Sequence, residues 1–167
     1  MYVLLLLTTA VPSLLAHGGG LIYVAGEAAG AYRVTVWVAP DEVEVGKTLH
    51  FTVAVVEAES NDMLLDAEVG IEVRAADSGE LVLSGPATTA QSVNKLFYEA
   101  DFPEAPEAGT YTAVTTVNGR YGTSDISFEF DVVPAKTAIN WLYAGIGGLI
   151  VIVVIGLFLF SRSPKPT

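Results

Sequence analysis

Trp141–Phe160 reads WLYAGIGGLIVIVVIGLFLF, twenty residues without a charge. As an α-helix rising 1.5 Å per residue such a run is about 30 Å long, the thickness of a bilayer's hydrocarbon core. Trp141 and Tyr143 stand at one end of it, where amphipathic rings favour the membrane–water interface, and Arg162 and Lys165 follow the other end. Positive residues are retained on the cytoplasmic side, so the run predicts one transmembrane helix over 141–160, a cytoplasmic tail over 161–167, and everything before it outside the cytoplasm.

The chain opens on a second apolar stretch, Met1–Ala16, broken by Pro12-Ser13 and ending in a small residue. It is too short to span a bilayer comfortably, and its pattern fits a secretory signal peptide cleaved after Ala16. It carries no Lys or Arg, which leaves a retained N-terminal anchor as the alternative.

All nineteen acids lie between these segments, against six bases (Arg33, Lys47, Arg74, Lys95, Arg120 and Lys136). A domain this acidic has no cationic face for phosphate, which excludes nucleic acid as a partner. The chain has no cysteine and two histidines, so disulfides, thiolate chemistry and Cys-ligated zinc are excluded, and little is left for a metal enzyme or a Ser-His-Asp triad.

Within the acidic segment the apolar residues recur with period two, the spacing of half-buried strands. Tyr32, Val34, Val36 and Val38 share one face; Leu49, Phe51, Val53 and Val55 do the same, then Val69, Ile71 and Val73. Asp77-Ser78-Gly79-Glu80 turns the chain into Leu81-Val82-Leu83, and Leu96, Tyr98, Ala100 and Phe102 alternate with charged residues. Thr110–Val117 and Ile126–Val132 complete about seven strands, with Asn118-Gly119 as a hairpin signal between the last two. One apolar face per strand predicts an all-β, antiparallel two-sheet sandwich over 31–134, preceded by a flexible segment over 17–30 and joined by a linker, 135–140, to the helix. Tyr111, after Ala108-Gly109-Thr110, takes the place of a tyrosine corner, its hydroxyl bonding back to the loop before it.

His17-Gly18-Gly19-Gly20, Gly30-Ala31-Tyr32-Arg33-Val34-Thr35-Val36-Trp37, Pro40 and Val45-Gly46-Lys47 resemble the YtkA-like group of small exported immunoglobulin-like domains. Leu65–Val69, Phe97–Ala100 and Ala108–Tyr111 add to the likeness, which covers most of residues 30–133. The resemblance implies an immunoglobulin-like sandwich. It also implies an accessory role beside membrane redox enzymes or copper handling, which the strand-and-turn motifs themselves do not encode.

Chemistry-bearing residues are few. Cleavage after Ala16 would leave His17 with a free α-amine and an imidazole, a nitrogen pair suited to copper(II), and CopC-like copper carriers are similar in starting this way. His50 is the only other histidine and so the only further imidazole ligand, although a solvated place on its strand's outer face suits it better. Glu57, Glu59, Asn61, Asp62 and Asp66 would offer calcium oxygen ligands, but without the spacing or glycine of an EF-hand they read as a solvated loop, or as a negative patch for a basic partner. Glu42/Glu44 and Glu104/Glu107 lie on loops with nothing to raise one pKa selectively, no serine has an evident base, and Gly18–Gly20 is no phosphate loop. The chain therefore reads as no enzyme and as needing no cofactor, copper being the one candidate. Trp37 and Phe97 point outward from their strands, and Ala144, Gly148 and Gly156 share one face of the membrane helix, where small residues let another helix approach. These five are the expected contact surfaces of an interaction subunit in a larger membrane complex. The alternatives are a copper-binding or copper-delivery module using His17 and, third, a calcium-dependent adhesion module.

Overall fold

The computed structural model describes residues 19–93, 95–136 and 155. His17, Ala144, Gly148, Gly156, the expected signal peptide and nearly all of the expected membrane helix lie outside the described residues. Among the described residues no helix is long and apolar enough to cross a membrane.

The described chain is all-β: β1 (Leu21–Ala29), β2 (Tyr32–Ala39), β3 (Val43–Glu44), β4 (Leu49–Glu57), β5 (Glu68–Ala75), β6 (Leu81–Ala87), β7 (Tyr98–Phe102), β8 (Gly109–Gly119) and β9 (Gly122–Val133). They form two sheets, ordered β1-β2-β4-β7 and β3-β9-β8-β5-β6. The period-two residues meet between the sheets. Tyr32, Val34, Val36, Val38, Leu49, Phe51, Val53 and Val55 from the first sheet are fully buried, as are Val73, Ala113 and Val117 from the second. Phe51 stands edge-on to Phe102 of its own sheet at 5.8 Å and to Phe130 of the facing sheet at 6.1 Å, the geometry that ring quadrupoles favour. Tyr111 donates its hydroxyl proton to the Glu107 carbonyl at 2.8 Å, the expected tyrosine corner. Burial first, and then the carboxylates of Glu107 and Asp77, push its phenol pKa up.

Three expectations need correction. The segment expected to be flexible, 17–30, contains β1, which pairs antiparallel with β2 from Leu21↔Val38 to Ala29↔Tyr32. Register shifts between Ile22 and Val24 and between Val24 and Glu27 break its alternation, so only Val24 and Ala29 are buried and no period of two survives in the sequence. The fold is also not wholly antiparallel, because β3 pairs parallel with β9 through Val43↔Val132 and Glu44↔Val133. The chain leaves the first sheet after Ala39 and joins the second without reversing direction. It therefore runs alongside β9, which heads toward the same pole.

Third, the last hairpin turns at Arg120-Tyr121, two residues beyond Asn118-Gly119, closing with Gly119↔Gly122. Gly119 serves close approach rather than the turn: a Cβ there would lie 2.9 Å from the Tyr32 hydroxyl and 3.2 Å from a Leu64 methyl. That hydroxyl donates to the Gly122 carbonyl at 2.7 Å and accepts from the Tyr121 amide at 3.2 Å, fastening the turn to the first sheet.

Among the described residues one core side chain is polar and unsatisfied: Thr115 is fully buried and its Oγ1 has no hydrogen-bond partner there. A buried hydroxyl without a partner retains its desolvation cost. Thr115→Val, which keeps the shape and removes the hydroxyl, is expected to raise the stability of the sandwich by about 1 kcal/mol in denaturant unfolding; an equal loss would show that the hydroxyl is satisfied in solution.

Candidate interaction surface

The outer face of the first sheet is built by the residues that alternate with its core. On β2 these include Arg33, Thr35 and Trp37; on β4, His50, Thr52, Ala54 and Val56; on β7, Glu99 and Asp101. Thr52 is 1% exposed and Ala54 9%, unusual for the solvent side of a sheet. Register explains this. Trp37 lies directly across from Thr52, and Phe97 precedes Tyr98, the partner of Val53, so it comes level with Ala54. The two rings meet at 5.6 Å between centroids, tilted 52°, across the small residues of β4. Both rings are half-buried. The two aromatics expected at a contact surface thus form one feature.

Further apolar side chains extend it. Ile22, opposite Trp37 on β1, is 53% exposed. Met63, 38% exposed, bridges Val56 in the lane that β7 leaves empty beyond Tyr98. Neither residue stood out in the sequence, Ile22 because β1 has no clean alternation and Met63 because it lies in a turn-rich segment.

Beside this patch lies a hydrogen-bonded row. His50 Nδ1 is 2.7 Å from Asp101 Oδ1, and His50 Nε2 is 3.0 Å from Thr52 Oγ1. The order carboxylate–imidazole–hydroxyl is that of a nucleophilic triad, but Thr52 is covered, and the strand amides on either side belong to the sheet ladder. With both ring nitrogens engaged, His50 has no lone pair free for a metal without breaking one of these bonds. Among the described residues no three His, Asp or Glu side chains are grouped so as to hold a metal ion.

Two acids of the 57–66 loop, Glu57 and Asp66, are engaged within the chain. Asp66 takes both its oxygens to the Arg120 guanidinium, at 2.8 and 3.0 Å, and Glu57 accepts from Ser60 at 2.8 Å and from the Tyr121 hydroxyl. The Arg120 hydrogen bond holds the Asp66 carboxyl below the usual range; Tyr121, followed by Ser60, does the same for Glu57. The outer face of the second sheet is mainly polar, with Glu68 and Glu72 on β5, Thr112 and Thr116 on β8, and Asp125, Glu129 and Asp131 on β9, and with Val114, Pro86 and Leu81 as scattered apolar members.

No protein-family model matches the chain, and no curated protein does. A solved structure of an engineered protein is similar at 21% identity and a TM-score of 0.41 over 67% of this chain. The match spans about a fifth of that protein, 21% of its length.

The depressed carboxyls fix the sign of one pH effect. A group whose folded pKa is lowered contributes stability above its unfolded pKa, near 4 for a carboxylate, and loses it as pH falls through the folded value. The melting-temperature advantage of the wild type over Asp66→Asn is therefore expected to be full at pH 6 and to shrink progressively as the pH is taken below about 4. Thermal melts across that window check it, and a pH-independent difference would remove the ion pair from the account.

Proposed function

We propose that this chain is a non-catalytic accessory or interaction subunit of a larger membrane complex. In this reading an immunoglobulin-like sandwich of YtkA-like type stands outside the cytoplasm, anchored by the 141–160 helix, and meets its partner through the Trp37–Phe97 face. The observation that carries the reading is the aromatic pair itself, held on the outer side of a sheet with an exposed isoleucine and methionine beside it. Aromatic side chains and methionine are enriched at protein interfaces and concentrate binding energy there. The apolar run and the Arg162 and Lys165 that follow it support the anchor and its orientation. The likeness to exported accessory domains adds a redox setting. A copper carrier built on His17 would have to find its further ligands away from His50, whose ring nitrogens are both engaged.

The test is assembly in native membranes. Extracted in mild detergent, the wild-type chain is expected in a larger species, and a Trp37→Ala/Phe97→Ala double variant is expected as the free subunit with its sandwich still folded by circular dichroism. A free wild-type chain, or a double variant that stays assembled, would overturn the proposal.

A further inference from the structure

We infer that the Trp37–Phe97 face takes a protein partner whose own contact surface has an apolar centre bordered by lysine and arginine; this rests on the interaction-subunit reading and adds the chemistry of the partner.

The face is the available surface of the first sheet because both edges of that sheet, β1 and β7, are guarded. On β1, two register shifts and Gly26 at φ 66° break the run of free backbone groups. In the second sheet β3 has two residues and pairs β9 only at Val132 and Val133, and β6 carries Pro86, which has no amide to offer. On β7, five residues long, the backbone of Glu99 is already bonded to Thr88 in both directions at 2.9 and 3.1 Å. Short strands, bulges and prolines discourage the pairing of another chain along an edge. On the first sheet a partner therefore meets side chains rather than a ladder.

Those side chains set the partner's character. The centre is Ile22, Trp37, Val56, Met63 and Phe97. Around it, Glu99 is level with Thr52 on the same outer face, Asp101 follows beside His50, and Glu59 and Asp62 stand in the turn that leads to Met63. Arg33, across from Val56, is the one basic residue on the outer side of β2. With Lys95, two residues before Phe97, counted beside Arg33, four carboxylates face two cations, an acidic balance that favours a border of the opposite sign, which steers encounter and penalises like-charged surfaces. The same balance argues against the other occupants. A second copy would bring another chain of nineteen acids and eight bases onto this one, and an anionic lipid surface would present its charge to the same rim.

Site-specific crosslinking of the full chain in its own membranes tests this. A Trp37→p-benzoylphenylalanine variant is irradiated beside a control Thr112→p-benzoylphenylalanine variant on the outer face of the second sheet. The expected adduct comes from position 37, joins a protein segment with Lys or Arg next to apolar residues, and falls at least about fivefold in yield between 50 and 500 mM salt. Glu59→Lys/Glu99→Lys added to the position-37 variant is expected to lower the low-salt yield by a similar factor without changing the melt. An adduct with a second copy, with lipid, or with a segment lacking basic residues would overturn the basic-border inference and leave the docking face standing. No adduct from position 37 would overturn both, whatever position 112 gives.

Discussion

A strand in the middle of a sheet has two faces to cover, and β4 is covered on both. On its inner side, Leu49, Phe51, Val53 and Val55 pack against the second sheet. On its outer side, Thr52 and Ala54 are almost fully buried although no further sheet among the described residues lies over them. Small side chains on β4 let the rings of Trp37 and Phe97 close over the strand, one from each neighbouring lane. The patch therefore follows from the register of three strands. A register slip of one residue would turn Trp37 inward and destroy both core and surface, so the demands of the core fix the surface as well.

The same logic shows why some of the fold was legible in the sequence and some was not. Strands with one buried face, such as Tyr32–Ala39 and Tyr98–Phe102, state their period plainly, and the outward direction of Trp37 and Phe97 follows from it. That the two rings meet does not follow, because it depends on strand order and on β4 lying between them. The first strand is hidden by its bulges, and β3 by being two residues long. Gly119 misled for a different reason: an Asn-Gly pair has the composition of a turn, but here the glycine admits the Tyr32 hydroxyl, a tertiary contact that no local pattern encodes. The loop acids read as a solvated or cation-binding run, whereas Arg120 and Tyr121, more than fifty residues further along the chain, engage two of them.

The two outer faces have different characters. The second sheet presents threonines and carboxylates to water, while the first presents an aromatic pair with aliphatic neighbours and an acidic border. Such an asymmetry is costly for a lone domain, since exposed apolar area invites non-specific association, and it suits the proposed subunit that is held against a partner. The row from Asp101 through His50 to Thr52 has a structural place in this account: it ties the lower part of β7 to β4 and satisfies a hydroxyl that the aromatic cover would otherwise strand.

The central claim is that the Trp37–Phe97 face is covered in the assembled protein. Hydroxyl-radical footprinting with mass spectrometry reads it directly, by comparing oxidation of Trp37 and Phe97 in native membranes with that in the detergent-isolated chain. The account predicts strong protection of both rings, and of Met63 beside them, in membranes and its loss on isolation, with Tyr121 unchanged. Equal oxidation of the two rings in both states would contradict it.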